Sequence, residues 1–379
     1  MKRFCIISND LHTVYNFRGE LLLDIAHQGY EVHILAPNIA MCPKDTLFFE
    51  DHGFKLHHFS MQKMGTNPFV DLKTLWTIYK TLKKIKPQKI LSYTIKPVIY
   101  GTLAGATAKV PERYVLLSGL GFAFQNEQAQ GKFKYIKKLF DQLFHTAIKK
   151  SHKVIFQNAD DLKLIQQLGH LETIPTAVVN GSGVDIQKFQ KKPLVLDATQ
   201  QPQPIFIMVA RLLKDKGVHE YIEAAKEVKQ QYPQAKFHLV GWIDENPAAI
   251  KKEDLNQWID ERLIDFWGKL EDVRPILEQA NIFVLPSYRE GIPRSVLEAM
   301  AMGRAVITTD APGCKETVHE GENGFKVPIQ NSQKLAEAMV KLIEEPTLIQ
   351  TMGEKSHHII LEKYDVKKVN QTMLRELNY

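Results

Sequence analysis

Ile205-Phe206-Ile207-Met208-Val209-Ala210-Arg211-Leu212-Leu213-Lys214-Asp215-Lys216-Gly217 reads as a buried strand ending at Ala210, a loop, and a helix beginning near Gly217. The short apolar run rich in β-branched residues fits a strand covered on both faces. Val218–Gln231 follows with helical spacing. The alternation then continues through strands Phe237–Val240, Ile264–Trp267, Ile282–Leu285, Ala305–Thr308 and Phe325–Val327, with helices that include Arg274–Ala280 and Arg294–Met302. Strands alternating with helices of about 10–15 residues imply a parallel sheet with helices on both faces.

The same rhythm runs upstream. Phe4–Ser8, Glu31–Ala36, Lys89–Thr94, Tyr114–Leu117 and Val154–Gln157 have strand character, and Leu21-Leu22-Ile25-Ala26 and Leu72-Leu75-Ile78-Tyr79-Leu82 have helical spacing. It breaks between Gly169 and Pro204, where Asn180-Gly181-Ser182-Gly183, Lys191-Lys192-Pro193 and Gln200-Gln201-Pro202-Gln203-Pro204 concentrate turn formers. The chain of 379 residues is long for one core, so two α/β domains are expected, 1–172 and 173–361. A last helix over about 362–379 is expected to pack back on the first.

Hydrophobic residues make up 44% and charged residues 24%, a globular balance. Cys5, Cys42 and Cys314 have no metal or CxxC spacing and read as reduced thiols. No apolar run reaches the roughly 20 residues of a membrane span, and the apolar start at Phe4 is too short for a signal peptide. A cytoplasmic protein is expected, or one peripheral on the inner face of the membrane. Net charge is +9 over 1–175 and −3 over 176–379, so the first half suits an anionic partner.

Ligands of open α/β sheets bind outside the carboxyl ends of strands. Arg211 and Lys216 follow such an end beside a helix N-terminus, where a planar fork of donors and a compact ammonium suit a diphosphate. A solvated basic loop would look the same. Leu285-Pro286-Ser287-Tyr288-Arg289-Glu290-Gly291-Ile292-Pro293-Arg294-Ser295-Val296-Leu297-Glu298 repeats the arrangement, with Pro293 in a first helical turn. Glu290 in the loop suits a sugar hydroxyl and Glu298 on the helix a ribose. Alternatively, Glu290 caps the helix and Glu298 pairs with Arg294.

Together these elements resemble the R-x4-K and E-x7-E signatures of the retaining glycosyltransferases of family 4, carried here by Arg211 and Lys216 and by Glu290 and Glu298. The resemblance covers the chain and is strongest over 204–330, including Gly268-Lys269-Leu270-Glu271-Asp272-Val273 and Asn323-Gly324-Phe325. Tyr93-Thr94-Ile95-Lys96-Pro97, Leu117-Ser118-Gly119-Leu120-Gly121, Val154-Ile155-Phe156-Gln157-Asn158 and Asn180-Gly181-Ser182-Gly183-Val184-Asp185 look like a bacterial subgroup that extends oligosaccharides on undecaprenyl diphosphate. The resemblance implies the GT-B fold, two Rossmann-like domains facing across a cleft, the first for acceptor and the second for nucleotide sugar. It also implies transfer of a hexose or N-acetylhexosamine from a UDP-sugar to a lipid-linked saccharide. Arg211, Lys216 and Glu290 would be catalytic, and Gly19, Gly291, Ile292, Pro293 and Glu298 would join them in binding the donor.

Two positions depart from the pattern. Ser118-Gly119 stands where many members have a His, so no catalytic His is assigned. The loop after the first strand is not glycine-rich, and Gly19 alone is expected to open the helix facing the diphosphate. No carboxylate pair of the DxD kind follows a strand, and two cations can substitute for Mg²⁺, so no metal or other cofactor is expected. An epimerase of UDP-N-acetylglucosamine shares the architecture but is disfavoured by E-x7-E. A nucleotide- or nucleic-acid-binding module is favoured only by the basic half, and no G-x-G-x-x-G follows the first strand. No nucleic-acid partner is expected.

One more segment bears on partners. Phe133, Ile136, Phe140, Leu143 and Phe144 share a helical face in 132–144, with lysines around the rest. Such a helix suits an anionic membrane, or equally the cover of a sheet.

Overall fold

The computed structural model describes residues 1–62, 68–120, 132–171, 173–244 and 246–379, with side chains except over 132–137. The chain forms two units, Met1–Ser182 with Val369–Tyr379, and Gly183–Lys368.

The first unit runs β1 (Lys2–Ile7), α1 (Leu11–His27), β2 (Tyr30–Ala36), α2 (Pro43–Asp51), β3 (Lys55–His58), α3 (Pro68–Ile85), β4 (Lys89–Tyr93), α4 (Ile95–Thr107), β5 (Glu112–Leu117), α5 (Lys132–Lys149), β6 (Lys153–Phe156), α6 (Ala159–Gln167) and β7 (Thr176–Val178). Its sheet has the order β3-β2-β1-β4-β5-β6-β7, parallel throughout. Alternation along the strands serves two helix layers. Phe4, Ile6, Ile34, Leu91 and Tyr93 join the core under α1, while Cys5, Ile7, Leu35 and Ile90 join the core under α3 and α4.

The second unit runs β8 (Ile205–Val209), α7 (Val218–Gln231), β9 (Lys236–Val240), α8 (Lys252–Asp260), β10 (Asp265–Phe266), α9 (Arg274–Glu278), β11 (Ile282–Leu285), α10 (Arg294–Ala301), β12 (Ala305–Thr309), β13 (Gly324–Val327), α11 (Ser332–Glu344) and α12 (Pro346–Ile359). Its sheet order is β10-β9-β8-β11-β12-β13, also parallel. Connections leave β8 toward β9 and then return to the other side as β11, so the strand order reverses between β8 and β11. That reversal opens a crevice at the strand ends, the place where doubly wound sheets bind ligands.

Several sequence expectations shift. The first unit ends at Ser182 rather than 172, because β7 pairs with β6 inside the stretch read as linker. The chain returns to it at Val369 rather than near 362, because Tyr364 is buried in the second unit's core. The last helix, α13 (Val366–Glu376), leads into that return. There Lys89 Nζ donates to the carbonyls of Leu377 and Asn378, both at 2.7 Å, and lies 4.1 Å from the centre of the Tyr379 ring. Burial pulls the Lys89 amine below its ordinary pKa, against the opposing charge of Glu112.

Gly19 does not open a helix. It is buried in the middle of α1, whose N-cap is Asp10. The Asp10 carboxylate accepts from the Thr13 amide at 3.2 Å, and Asn38 Oδ1 accepts from the Leu11 amide at 3.0 Å. A polar cap decided the helix start, and two of its terminal amides are already engaged.

The 132–144 segment does form the first part of α5. Phe144 is fully buried, and Phe140 and Leu143 pack beside it against Val115, Leu117 and Val154. The described part of that apolar face therefore covers the sheet. Phe133 and Ile136 lie outside the residues whose side chains are described.

Candidate active site

Three neighbouring strand ends build the site in the second unit. After β8 the chain keeps its loop in place with Leu212 and Leu213, both buried, so that Arg211 projects outward with its side chain 46% exposed. Lys214–Lys216 form a single 3₁₀ turn, and Gly217 caps the next helix with φ of +73°. A Cβ on Gly217 would stand 2.1 Å from the Pro286 carbonyl oxygen. Only glycine lets the Lys216 turn lie directly against the loop after β11.

The two loops are joined by main-chain contact. The Tyr288 amide donates to the Asp215 carbonyl at 2.9 Å. Ser287 Oγ sits 3.0 Å from that carbonyl and 2.9 Å from Glu290 Oε1, so its one proton serves either acceptor. Tyr288 Oη donates to Glu220 in the first turn of α7 at 2.6 Å. Lys216 Nζ consequently meets Glu290 Oε1 at 2.6 Å, with both side chains largely covered.

The loop after β12 supports Glu290 from behind. The Glu290 amide donates to the Pro312 carbonyl at 2.9 Å. Gly313, at φ of +83°, passes so near that a Cβ would be 2.2 Å from the Glu290 carbonyl oxygen. Thr309 Oγ1 donates to the Ser287 carbonyl. Cys314 lies beneath, its thiol pushed up to about 12 by burial and then by Glu290; it is not a nucleophile at neutral pH.

Electrostatics follow from this arrangement. Burial pulls the Lys216 amine down, but Glu290 and Asp215 outweigh it and leave its pKa raised, so it stays an ammonium at neutral pH. Glu298 accepts from Arg294 Nε at 2.9 Å. Burial nevertheless raises its carboxyl above the ordinary range, with Arg294 opposing. Arg211 Nη1 meets Asp244 Oδ2 at 3.1 Å.

The structure thus puts Lys216 and Glu290 in contact and Arg211 at the same strand end. Gly291, Ile292 and Pro293 are buried in the connecting loop, and Glu298 stands one turn into α10. Pro293 is the N-cap of α10, one residue ahead of the first turn where it was expected, because its ψ of 113° is extended. The Arg294 pairing foreseen for Glu298 is present. Three participants carried no signal of their own in the sequence. Ser287 and Tyr288 lie inside the quoted stretch, but only the contact with Asp215 reveals their part, and Asp244 is marked only by following β9. Among the described residues no group of three His, Cys, Asp or Glu side chains is placed to hold a metal ion.

The sequence model described as "Glycosyl transferase 4-like" matches residues 5–158, and that described as "Glycosyl transferases group 1" matches 203–345. The N,N'-diacetylbacillosaminyl-diphospho-undecaprenol alpha-1,3-N-acetylgalactosaminyltransferase of Campylobacter jejuni is 30% identical over 381 aligned positions, covering 98% of this chain and 97% of that one. The chain belongs to the family 4 glycosyltransferases. Another relative of this glycosyltransferase is the UDP-Gal:alpha-D-GlcNAc-diphosphoundecaprenol alpha-1,3-galactosyltransferase of Escherichia coli, 27% identical over 79% of this chain and 77% of that one. Among solved structures, the sucrose-phosphate synthase of Thermosynechococcus elongatus superposes with a TM-score of 0.79 at 17% identity, covering 100% of this chain and 98% of that one. HepE of Anabaena, solved in complex with UDP, superposes at 0.75 and 20% identity, with all of both chains covered. These likenesses establish the GT-B fold with its two Rossmann-like sheets. This glycosyltransferase is a hexosyltransferase by family, and the epimerase and nucleic-acid alternatives are not favoured.

Proposed function

We propose that this glycosyltransferase moves a hexose or N-acetylhexosamine from a UDP-sugar to an undecaprenyl-diphosphate-linked saccharide, with retention at the anomeric carbon. The observation that carries the reading is the Lys216–Glu290 contact beside Arg211 at the point where strand order reverses. The Campylobacter and Escherichia relatives are named for lipid diphosphate acceptors, and one of them for a UDP-sugar donor. HepE has been solved with UDP-glucose as well as UDP.

In the reaction the bond from the anomeric carbon to the diphosphate breaks, and one to the acceptor oxygen forms. The acceptor proton leaves on the diphosphate or to solvent. Negative charge grows on the departing UDP, and Arg211 and Lys216 stabilise it as preorganised cations. Glu290 accepts from a hydroxyl of the transferred sugar while neutralising Lys216 between turnovers. Glu298, oriented by Arg294, holds the ribose. Gly291, Ile292 and Pro293 line the donor, and no metal takes part. Contact with the lipid is peripheral, at the inner face of the membrane. Among the described residues no helix is long and apolar enough to cross one.

The test offers a panel of UDP-sugars with an undecaprenyl-diphosphate-linked saccharide and follows products by mass spectrometry and anomeric NMR couplings. One added sugar with the donor's configuration is expected, at a rate unchanged by EDTA. Donor consumption without a larger acceptor product would overturn the reading. A rate abolished by EDTA and restored by Mg²⁺ would remove the metal-free mechanism. Glu298→Gln is expected to weaken UDP binding by about 1.5–3 kcal/mol, the scale of a hydrogen bond to a charged group. Unchanged affinity by calorimetry would leave Glu298 only its contact with Arg294.

A further inference from the structure

Of the two cations at the strand ends, Arg211 is the one whose placement needs a cause. Lys216 is gripped by Glu290 and largely covered, whereas the Arg211 side chain is 46% exposed on a long stem with many rotamers. Among the described residues the one side chain it bonds is Asp244, with Nη1 donating to Oδ2 at 3.1 Å. An ion pair between two mobile surface side chains contributes little. The weight of this contact therefore depends on how firmly Asp244 is held.

Asp244 is held by backbone. A Cβ on Gly241 would stand 1.9 Å from the Ala210 carbonyl oxygen, so only glycine lets the chain after β9 run against the end of β8. Three main-chain hydrogen bonds then join it to the Arg211 loop. The Leu212 amide donates to the Trp242 carbonyl at 3.0 Å, the Lys214 amide to the Ala248 carbonyl at 2.9 Å, and the Ile250 amide to the Leu212 carbonyl at 2.9 Å. These contacts fall on both sides of Asp244. Its Oδ1 accepts from the Asn246 amide at 3.0 Å, and Asn246 Oδ1 accepts from the Ala248 amide at 2.9 Å. Such turns fix a short side chain against its own backbone. One carboxylate oxygen is thus spent on the turn and the other is given to Arg211, with the side chain only 24% exposed.

A carboxylate beside a phosphate-binding cation could instead compete with the phosphate. The geometry favours a hold. A guanidinium carries five N–H donors in a planar fork, and a bond from Nη1 alone leaves donors for the oxygens of a diphosphate. We propose that Asp244 is the positioning residue of Arg211, anchoring one end of the guanidinium so that its remaining N–H groups meet the departing diphosphate already oriented. The inference rests on the leaving-group role proposed above for Arg211 and names what makes that role effective. A donor that stabilises a developing anion counts only if it is in place beforehand.

The experiment is a double-mutant cycle on the full chain, with turnover of UDP-sugar and lipid-linked acceptor read beside thermal unfolding. An amide has one acceptor oxygen where a carboxylate has two, so Asp244→Asn can keep the Asn246 turn but not Arg211 as well. It is expected to lower kcat by roughly ten- to a hundredfold, the range for a reacting group displaced by up to about 1 Å. KM for the UDP-sugar and the melting temperature are expected to stay near wild type. In an Arg211→Ala background the same substitution is expected to change kcat by less than about twofold, because a residue acting through Arg211 has nothing left to hold. An equal loss in both backgrounds would overturn the proposal, since Asp244 would then act apart from Arg211. So would wild-type or faster turnover in Asp244→Asn, the faster rate marking the carboxylate as a competitor. An impaired Arg211→Ala beside a normal Asp244→Asn removes the hold and keeps the leaving-group role. A near-normal Arg211→Ala removes both.

Discussion

Lys216→Ala is expected to lower turnover by roughly 10²–10³-fold, the scale for losing one preorganised donor to a developing anion. The ammonium is held by a turn that Gly217 lets lie against Pro286, and it is kept charged by Glu290 and Asp215. Its loss also leaves the Glu290 carboxylate, itself mostly covered, without its nearest cation. That deepens the effect, because an incompletely paired buried charge is costly. Arg211→Ala is expected to fall in the same range by the leaving-group argument. Its side chain is far more exposed and touches Asp244 rather than Glu290, so its loss should cost less stability. The check is steady-state turnover with thermal unfolding run in parallel. Near-normal turnover in both variants would sink the leaving-group assignment.

Gly313→Ala is expected to damage catalysis from a position that touches no substrate. Its φ of +83° costs a residue with a side chain about 1–3 kcal/mol. The added Cβ must also displace the Glu290 and Gly291 carbonyls, which lie 2.2 and 2.4 Å from where it would stand. Backbone does not yield as a flexible side chain does, so the loop bearing Glu290 has to move off its seat on Pro312. A displacement near 1 Å at a reacting group costs about a hundredfold. A loss of turnover of that order is expected, with a melting temperature lower by roughly 2–4 °C per kcal/mol. Normal turnover in a destabilised variant would show that the seat of Glu290 on Pro312 is not needed.

What the sequence disclosed and what it withheld have different physical origins. Strands such as Phe4–Ile7 and Ile205–Val209 are buried on both faces, so their composition alone marks them. β3 and β7 lie at sheet edges, and neither is an unbroken apolar run. Arg211, Lys216 and Glu290 stood out as candidates because the loops after parallel strands are where such sheets bind ligands, and Glu298 because it lies one turn into the helix that follows such a loop. The Ser287–Asp215 and Pro312–Glu290 contacts were not, since each joins segments separated in sequence and brought together only by strand order. Gly19 misled for a different reason. The resemblance led to the expectation of a glycine opening the helix after β1, but Asp10, three residues beyond that strand, had already begun it.

The grip of Lys89 on the Leu377 and Asn378 carbonyls sets an order of events for a chain emerging from the ribosome. Met373 and Leu377 belong to the same core as Phe4, Ile34 and Leu91. The first unit is therefore left unfinished until the second, about 190 residues, has been made. At roughly 5–20 residues per second that interval is on the order of ten to forty seconds. Throughout it the groove that later receives Met373 and Leu377 is open to water, and the Lys89 amine waits for its carbonyls. The half that is synthesised first is thus the half that matures last, with an apolar surface for chaperones to hold in the meantime.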